Sequence, residues 1–216
     1  FNHTTGDVQV LTHEFGHAFA GYMAMRNQPV STYYSESTDI AEIHSMSMEQ
    51  FAYPYAEKFF GDKADKFRFS HLQEALTFVP FGVAVDEYQH IVYANPELTP
   101  KQRTAEWKKL EEKYMPWREY DDIDFFAKGG WWYHKIHIFL YPFYYVDYAM
   151  AQMGAFEFYT KMKEDRKAAW ADYYKLCAAG GSMGYFDLLK YSGLHKVLED
   201  GSVKIILKGV FEELGL

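Results

Sequence analysis

Along residues 8–26 the apolar side chains recur at intervals of three and four, and Leu11, Phe15, Ala18, Phe19 and Tyr22 form a stripe that predicts a helix. Thr4, Thr5 and Asp7, just ahead of it, are capping candidates. Residues 27–37 lose the period and contain Pro29, several Ser and Thr residues and the pair Tyr33 and Tyr34, which predicts a loop with a short extended segment. A second helix is expected over residues 38–52. Residues 65–95 read as one or two helices around Pro80, and Thr99-Pro100 opens an N-capped amphipathic helix to Tyr114 whose charges form a solvated face. The Gly129-Gly130 pair breaks the chain; helical periodicity then resumes at Trp131 and runs through an aromatic segment to about Ala178. Gly180, Gly181 and Gly184 mark a loop, either a helix-to-helix turn or a place where glycines let a peptide backbone approach. No strand pattern, repeat or internal linker is present, so a mainly α fold is predicted.

Composition narrows the class. With 216 residues, 49% of them hydrophobic, the chain can bury the core of one domain spanning 1–216. The formal charge of -8 gives no basic footprint for nucleic acid or an anionic membrane. A single cysteine, Cys177, forbids an internal disulfide, excludes a thiolate-rich zinc site and suits a reducing, cytoplasmic setting; it has no evident base beside it in sequence. The most apolar stretch, 136–159, is interrupted by Pro142, Asp147 and Glu157 and reads as a buried helical hairpin or a cleft wall, not a membrane span. The chain opens on Phe1 without a signal peptide and looks like a fragment of a longer protein.

The chemistry is concentrated in His13-Glu14-Phe15-Gly16-His17, an H-E-x-x-H pattern. A four-residue step on a helix advances about 400°, leaving the two imidazoles roughly 40° apart and ~6 Å along the axis, so both reach one ion. Glu14 projects to a neighbouring angle and is the natural general base for a water at that ion. A catalytic zinc needs a third protein ligand. The metzincin extension requires Gly and His where this chain has Ala20 and Met23, so that class is excluded and a glutamate is expected. On the second helix Glu42, Ser45 and Glu49 share one face, whereas His44 points away and reads as structural.

His13 to His17 followed by Glu42-x-x-Ser45-x-x-x-Glu49 resembles the thimet oligopeptidase and oligoendopeptidase F family of zinc peptidases. The resemblance implies a helical zincin-like domain in which the H-E-x-x-H helix packs against the helix bearing the glutamate ligand. It makes Glu42 the third ligand of one Zn²⁺ and Glu49 a supporting residue. The run from His137 to Ala149 resembles the family's late motif, implying that His137 and Tyr148, and by a more ambiguous alignment Tyr145, stabilise the oxyanion; Tyr141 and Tyr144 are alternatives, and His134 reads as structural. The implied activity is endopeptidase hydrolysis of short oligopeptides, and the implied partner is the amino-terminal lobe of a longer parent chain. A helical zinc carboxypeptidase or dipeptidase and a noncatalytic zinc-stabilised peptide-binding module are the rival readings, and ligand type alone does not separate zinc from cobalt or manganese.

Overall fold

The computed structural model describes residues 1–216 and contains helices and turns but no strand. In chain order the helices are α1 (Thr5–Asn27), α2 (Thr38–Phe51), α3 (Glu57–Phe60), α4 (Ala64–Ala94), α5 (Pro100–Tyr114), α6 (Asp124–Ala127), α7 (His137–Leu140), α8 (Tyr145–Ala179), α9 (Tyr185–Tyr191), α10 (Ser202–Ile206) and α11 (Lys208–Leu214). Two compact units emerge: one of Phe1–Ala75 with Met150–Leu216, the other of Leu76–Ala149. None of the helices is long and apolar enough to cross a membrane.

In the first unit α1 starts where Asp7 turns back on the backbone, its carboxylate accepting from Thr4 N–H at 3.2 Å and from Asn2 N–H at 2.8 Å. The helix then lies along α2. The buried face of α1 is not the predicted stripe. It consists of Gly16, Ala20, Met23 and Ala24, whereas Leu11, Phe15, Ala18 and Tyr22 are exposed. The reason is close backbone approach: a Cβ on Gly16 would stand 2.6 Å from Ser45 Cα and 2.7 Å from His44 O, so small residues face α2 and large ones are turned out. Phe19 alone of the stripe packs against the core, stacked on Tyr173. Ile40, Ile43 and Phe51 of α2, Phe158, Tyr173 and Leu176 of α8, and Leu188 and Leu189 of α9 fill that core. Each such side chain contributes roughly 1.5–3 kcal/mol when fully buried.

The loop 28–37 forms no strand; its backbone is extended at Gln28 and Val30 and then tightens into a 3₁₀ turn at Ser31–Tyr33. The Gly180-Gly181 turn between α8 and α9 presses on this loop, Gly181 N–H donating to Tyr33 O at 3.0 Å, and a Cβ at Gly180 would meet that oxygen at 2.2 Å. The glycines therefore serve a helix-to-helix turn. Helix α8 is broken at Asp165, whose extended backbone (φ -148°) and carboxylate, accepting from Lys167 and Ala168 N–H at 2.9 and 3.0 Å, cap a second helical run.

The second unit is an aromatic cluster: Phe81 and Tyr88 of α4, Trp107 and Leu110 of α5, Trp132, Ile138 and Tyr145 are buried together. Pro80 sits inside α4 without ending it, so the region is one helix and not two. Thr99 caps α5 as its sequence implies, accepting from Gln102 N–H. Continuous helix from Trp131, and the hairpin expected around 136–159, are both replaced by a 3₁₀ turn (Gly130–His134), the single turn α7, and a bend before α8. At that bend Phe143 adopts φ 63°, a left-handed conformation unusual for a side chain of its size, and its N–H donates to the buried Gln89 Oε1 at 2.8 Å.

Candidate metal centre

His13 and His17 stand one turn apart on α1, their rings 5.0 Å between centroids and edge to face. Glu42, buried to 7% exposure on α2, brings Oε2 to 3.3 Å from His13 Nε2 and 3.7 Å from His17 Nε2. One ligand atom from each of the three residues lies within 4.8 Å of the others. A tetrahedral zinc with bonds of about 2.0–2.1 Å separates its ligand atoms by roughly 3.3–3.4 Å, so both histidine-to-Glu42 separations are close to what one ion requires. Ser45 Oγ donates to Glu42 Oε2 at 2.9 Å and fixes the carboxylate on its helix. Glu14 is exposed on α1 and is not one of the three converging donors.

The electrostatics also invite a cation. Burial alone would lower the His13 pKa, but hydrogen bonds and charge from Glu42 and Glu49 outweigh it and push it up to about 10. Burial likewise works against the charged Glu42 and Glu49, yet their imidazole and hydroxyl donors hold both carboxyls below their ordinary value. For His17 burial prevails and the pKa is lowered, which favours the neutral, ligating imidazole. Without metal, a proton on His13 supplies the positive charge that a divalent ion would otherwise bring.

Behind His13 the support is deeper than the sequence suggested. His13 Nδ1–H donates to Glu49 Oε1 at 2.7 Å, the role expected for Glu49. Glu49 Oε2 in turn accepts from His71 Nε2–H at 2.7 Å, and Tyr53 O–H donates to His71 Nδ1 at 2.6 Å. Sequence reasoning missed His71 and Tyr53; they lie in no motif with Glu49, and no local spacing announces them. His44 is structural, as expected: fully buried, it donates from Nδ1 to Glu36 Oε1 at 2.9 Å. Burial opposes its charge, but Cys177 and Glu36 raise its pKa to about 10. Cys177, remote in sequence from any base, thus has an imidazole beside it, but both groups are shut off from solvent.

The late-motif residues belong to the second unit. His137 has a buried Nδ1 without a hydrogen-bond partner, and its pKa is lowered first by burial and then by the charge of Lys135. Tyr148 lies edge to face with His137 at 6.0 Å and places its hydroxyl 3.1 Å from that of Tyr144. Tyr145 is buried at 6% exposure and accepts from Lys135 Nζ at 2.8 Å, and burial pushes its pKa well above the ordinary tyrosine value, so its phenol keeps its proton. Tyr141 is exposed.

The family pattern described as peptidase family M3 matches residues 3–205. An oligoendopeptidase F homolog of Borreliella burgdorferi is 26% identical over 87% of this chain and 32% of its own length. Oligopeptidase PepF of Bacillus subtilis is 24% identical over 90% of the chain and 29% of its own. The solved structure of Pz peptidase A with an inhibitor superposes with a TM-score of 0.94 and 44% identity over all of this chain and 38% of that one. The chain thus spans about a third of the length of these relatives. Since the matched region contains both motifs and nearly every helix, the chain belongs to peptidase family M3.

Proposed function

We propose that residues 1–216 are the catalytic part of a longer zinc-dependent endopeptidase that hydrolyses short oligopeptides. The observation that carries this reading is the convergence of His13, His17 and Glu42 at the spacing one ion requires, with Glu14 next to the first ligand and left outside the donor set. Three protein ligands leave a tetrahedral position open, the mark of a catalytic and not a structural site. A divalent ion held there supplies Lewis-acid chemistry, polarising the scissile carbonyl and making water acidic near neutral pH.

The chain's own residues do the rest. Glu14 takes the proton from the attacking water and returns it to the departing amine as the C–N bond breaks. By their place in the late motif, His137 and Tyr148 donate hydrogen bonds to the oxyanion of the tetrahedral intermediate, with Tyr145 proposed in a supporting part. The relatives' names, an oligoendopeptidase F homolog and an oligopeptidase, support short peptides as substrates. The proposed partner is the remainder of the parent chain; the net charge of -8 argues against nucleic acid and anionic membranes, and the lone cysteine suits the cytoplasm.

The test uses the intact parent enzyme and a quenched peptide blocked at both ends. Chelation should abolish cleavage and added zinc restore it. Glu14→Gln should lower turnover by about 10²–10⁴-fold while metal content stays at one equivalent. Cleavage confined to unblocked termini, or a Glu14→Gln enzyme at full speed, defeats the proposal.

A further inference from the structure

Glu49 is more than a neighbour of the metal ligands, because it is itself clamped from behind. Its two oxygens are both used: one accepts from His13, the other from His71 of α4. A carboxylate can only accept, so His71 Nε2 carries the hydrogen; in the neutral imidazole Nδ1 is then left with a lone pair, to which the Tyr53 hydroxyl donates. The direction of the hydrogens is therefore set from the buried end, and the chain ends with a hydrogen on His13 Nδ1, which leaves Nε2, the nitrogen facing Glu42 and His17, as the one an ion can take.

The buried end is rigid. Tyr53 is 3% exposed, its ring lying edge-on to Tyr159 and Phe67. His71 is buried and stacked on Phe67 with the planes 9° apart. Arg68 Nη1–H holds the Tyr53 carbonyl at 3.0 Å. All of these residues lie in the first unit.

We propose that His71, locked by Tyr53, is a positioning residue of the metal centre: it pins Glu49 so that His13 is held in one tautomer and one ring orientation, presenting Nε2 to the ion. The proposal rests on the metal reading above. Without His71, Glu49 keeps one part-buried oxygen unpartnered and is free to rotate, and His13 loses its fixed acceptor.

The experiment measures zinc transfer from the intact, zinc-loaded enzyme to a coloured chelator, alongside the thermal midpoint of the metal-free protein. His71→Phe, which keeps the stack on Phe67 and removes the donor, should release zinc about 10–100-fold faster. His71→Gln, whose side-chain N–H can still reach Glu49, should recover most of that loss. Tyr53→Phe removes a single oxygen and should accelerate release in the same direction, and it provides the reading if His71→Phe does not fold. In a Glu49→Gln background His71→Phe should add nothing. A purely structural His71 would shift the metal-free midpoint and leave release unchanged. Wild-type release rates in the His71 and Tyr53 variants, or acceleration that survives in the Glu49→Gln background, overturn the proposal while leaving the metal reading intact. A wild-type enzyme that takes up no zinc overturns both.

Discussion

Replacing Gly16 by alanine separates helix propensity from site geometry. In an ordinary helix interior the change gains about 1 kcal/mol. Here the new methyl would lie 2.6 Å from Ser45 Cα and 2.7 Å from His44 O, both backbone atoms that no rotamer change can move aside. Carbon–carbon contacts prefer 3.5–4.0 Å, so α2 has to retreat by roughly 1 Å. Overpacking of this kind costs about 1–3 kcal/mol, which cancels or exceeds the propensity gain and leaves a net loss of ~0–2 kcal/mol. For a chain of this size each kcal/mol moves Tm by ~2–4 °C. The larger effect falls on the metal. Ser45 is hydrogen-bonded to Glu42, so the retreat carries Glu42 Oε2 away from imidazole nitrogens now 3.3 and 3.7 Å distant, against a tolerance of ~0.5 Å for a functional site. Calorimetric zinc titration with thermal unfolding, each with and without metal, reads both terms. Gly16→Ala should lower Tm by ~0–8 °C without metal, but lose ten-fold or more in zinc affinity, on the scale of about 10–100-fold seen when ligand supports are removed. A variant more stable than wild type that binds zinc equally well refutes the close-approach reasoning.

Glu42→Gln should lose its zinc on dialysis, since a neutral amide replaces the only anionic ligand among the three donors; a retained full equivalent, by atomic absorption, removes Glu42 from the ligand set. Tyr148→Phe should lower kcat by about 10²–10³-fold with KM little changed, as for a donor engaged in the transition state, and steady-state kinetics with unaltered kcat would exclude it. Glu36 provides a pH test. Burial would raise its pKa, but the His44 hydrogen bond and charge hold the folded value below the ordinary one near 4.5. Its stabilising contribution is therefore complete above that ordinary value and is lost as pH falls through the lower folded value. In metal-free protein, Tm should fall more steeply with acidification below pH ~4.5 for wild type than for Glu36→Gln, and parallel profiles would show that the pair contributes nothing.

The candidate metal ligands were legible because their geometry is local. Two histidines four apart on one helix, and carboxylates at offsets of seven on the next, converge wherever those helices pack, and H-E-x-x-H with Glu42 and Glu49 states both conditions. Helix existence was readable for the same reason, down to the Thr99 cap. The facing of α1 was not, because a moment of large apolar side chains is blind to packing by small ones. Gly16, Ala20 and Ala24 mark the real interface, while Leu11 and Phe15 line a cleft of about 900 Å³ with Met48, Phe51 and Trp170. The bend at Phe143 was equally hidden, since a left-handed residue normally announces itself as glycine or asparagine, and here the conformation accompanies a hydrogen bond to Gln89, 54 positions earlier.

His71 and Tyr53 expose the deeper limit. The tyrosine follows the end of α2 and the histidine begins the third turn of α4, 18 positions on, so their meeting at Glu49 is a product of tertiary packing. Their neighbours give no functional cue: Phe67 stacks on His71 and Pro54 follows Tyr53, which in sequence look like core and turn. Yet the same packing that hides them makes them consequential. A largely buried carboxylate with an imidazole on each oxygen cannot reorient without breaking a charge-assisted hydrogen bond. The ligand pattern therefore says which atoms can touch an ion, whereas the fold behind it decides how firmly one of them is aimed.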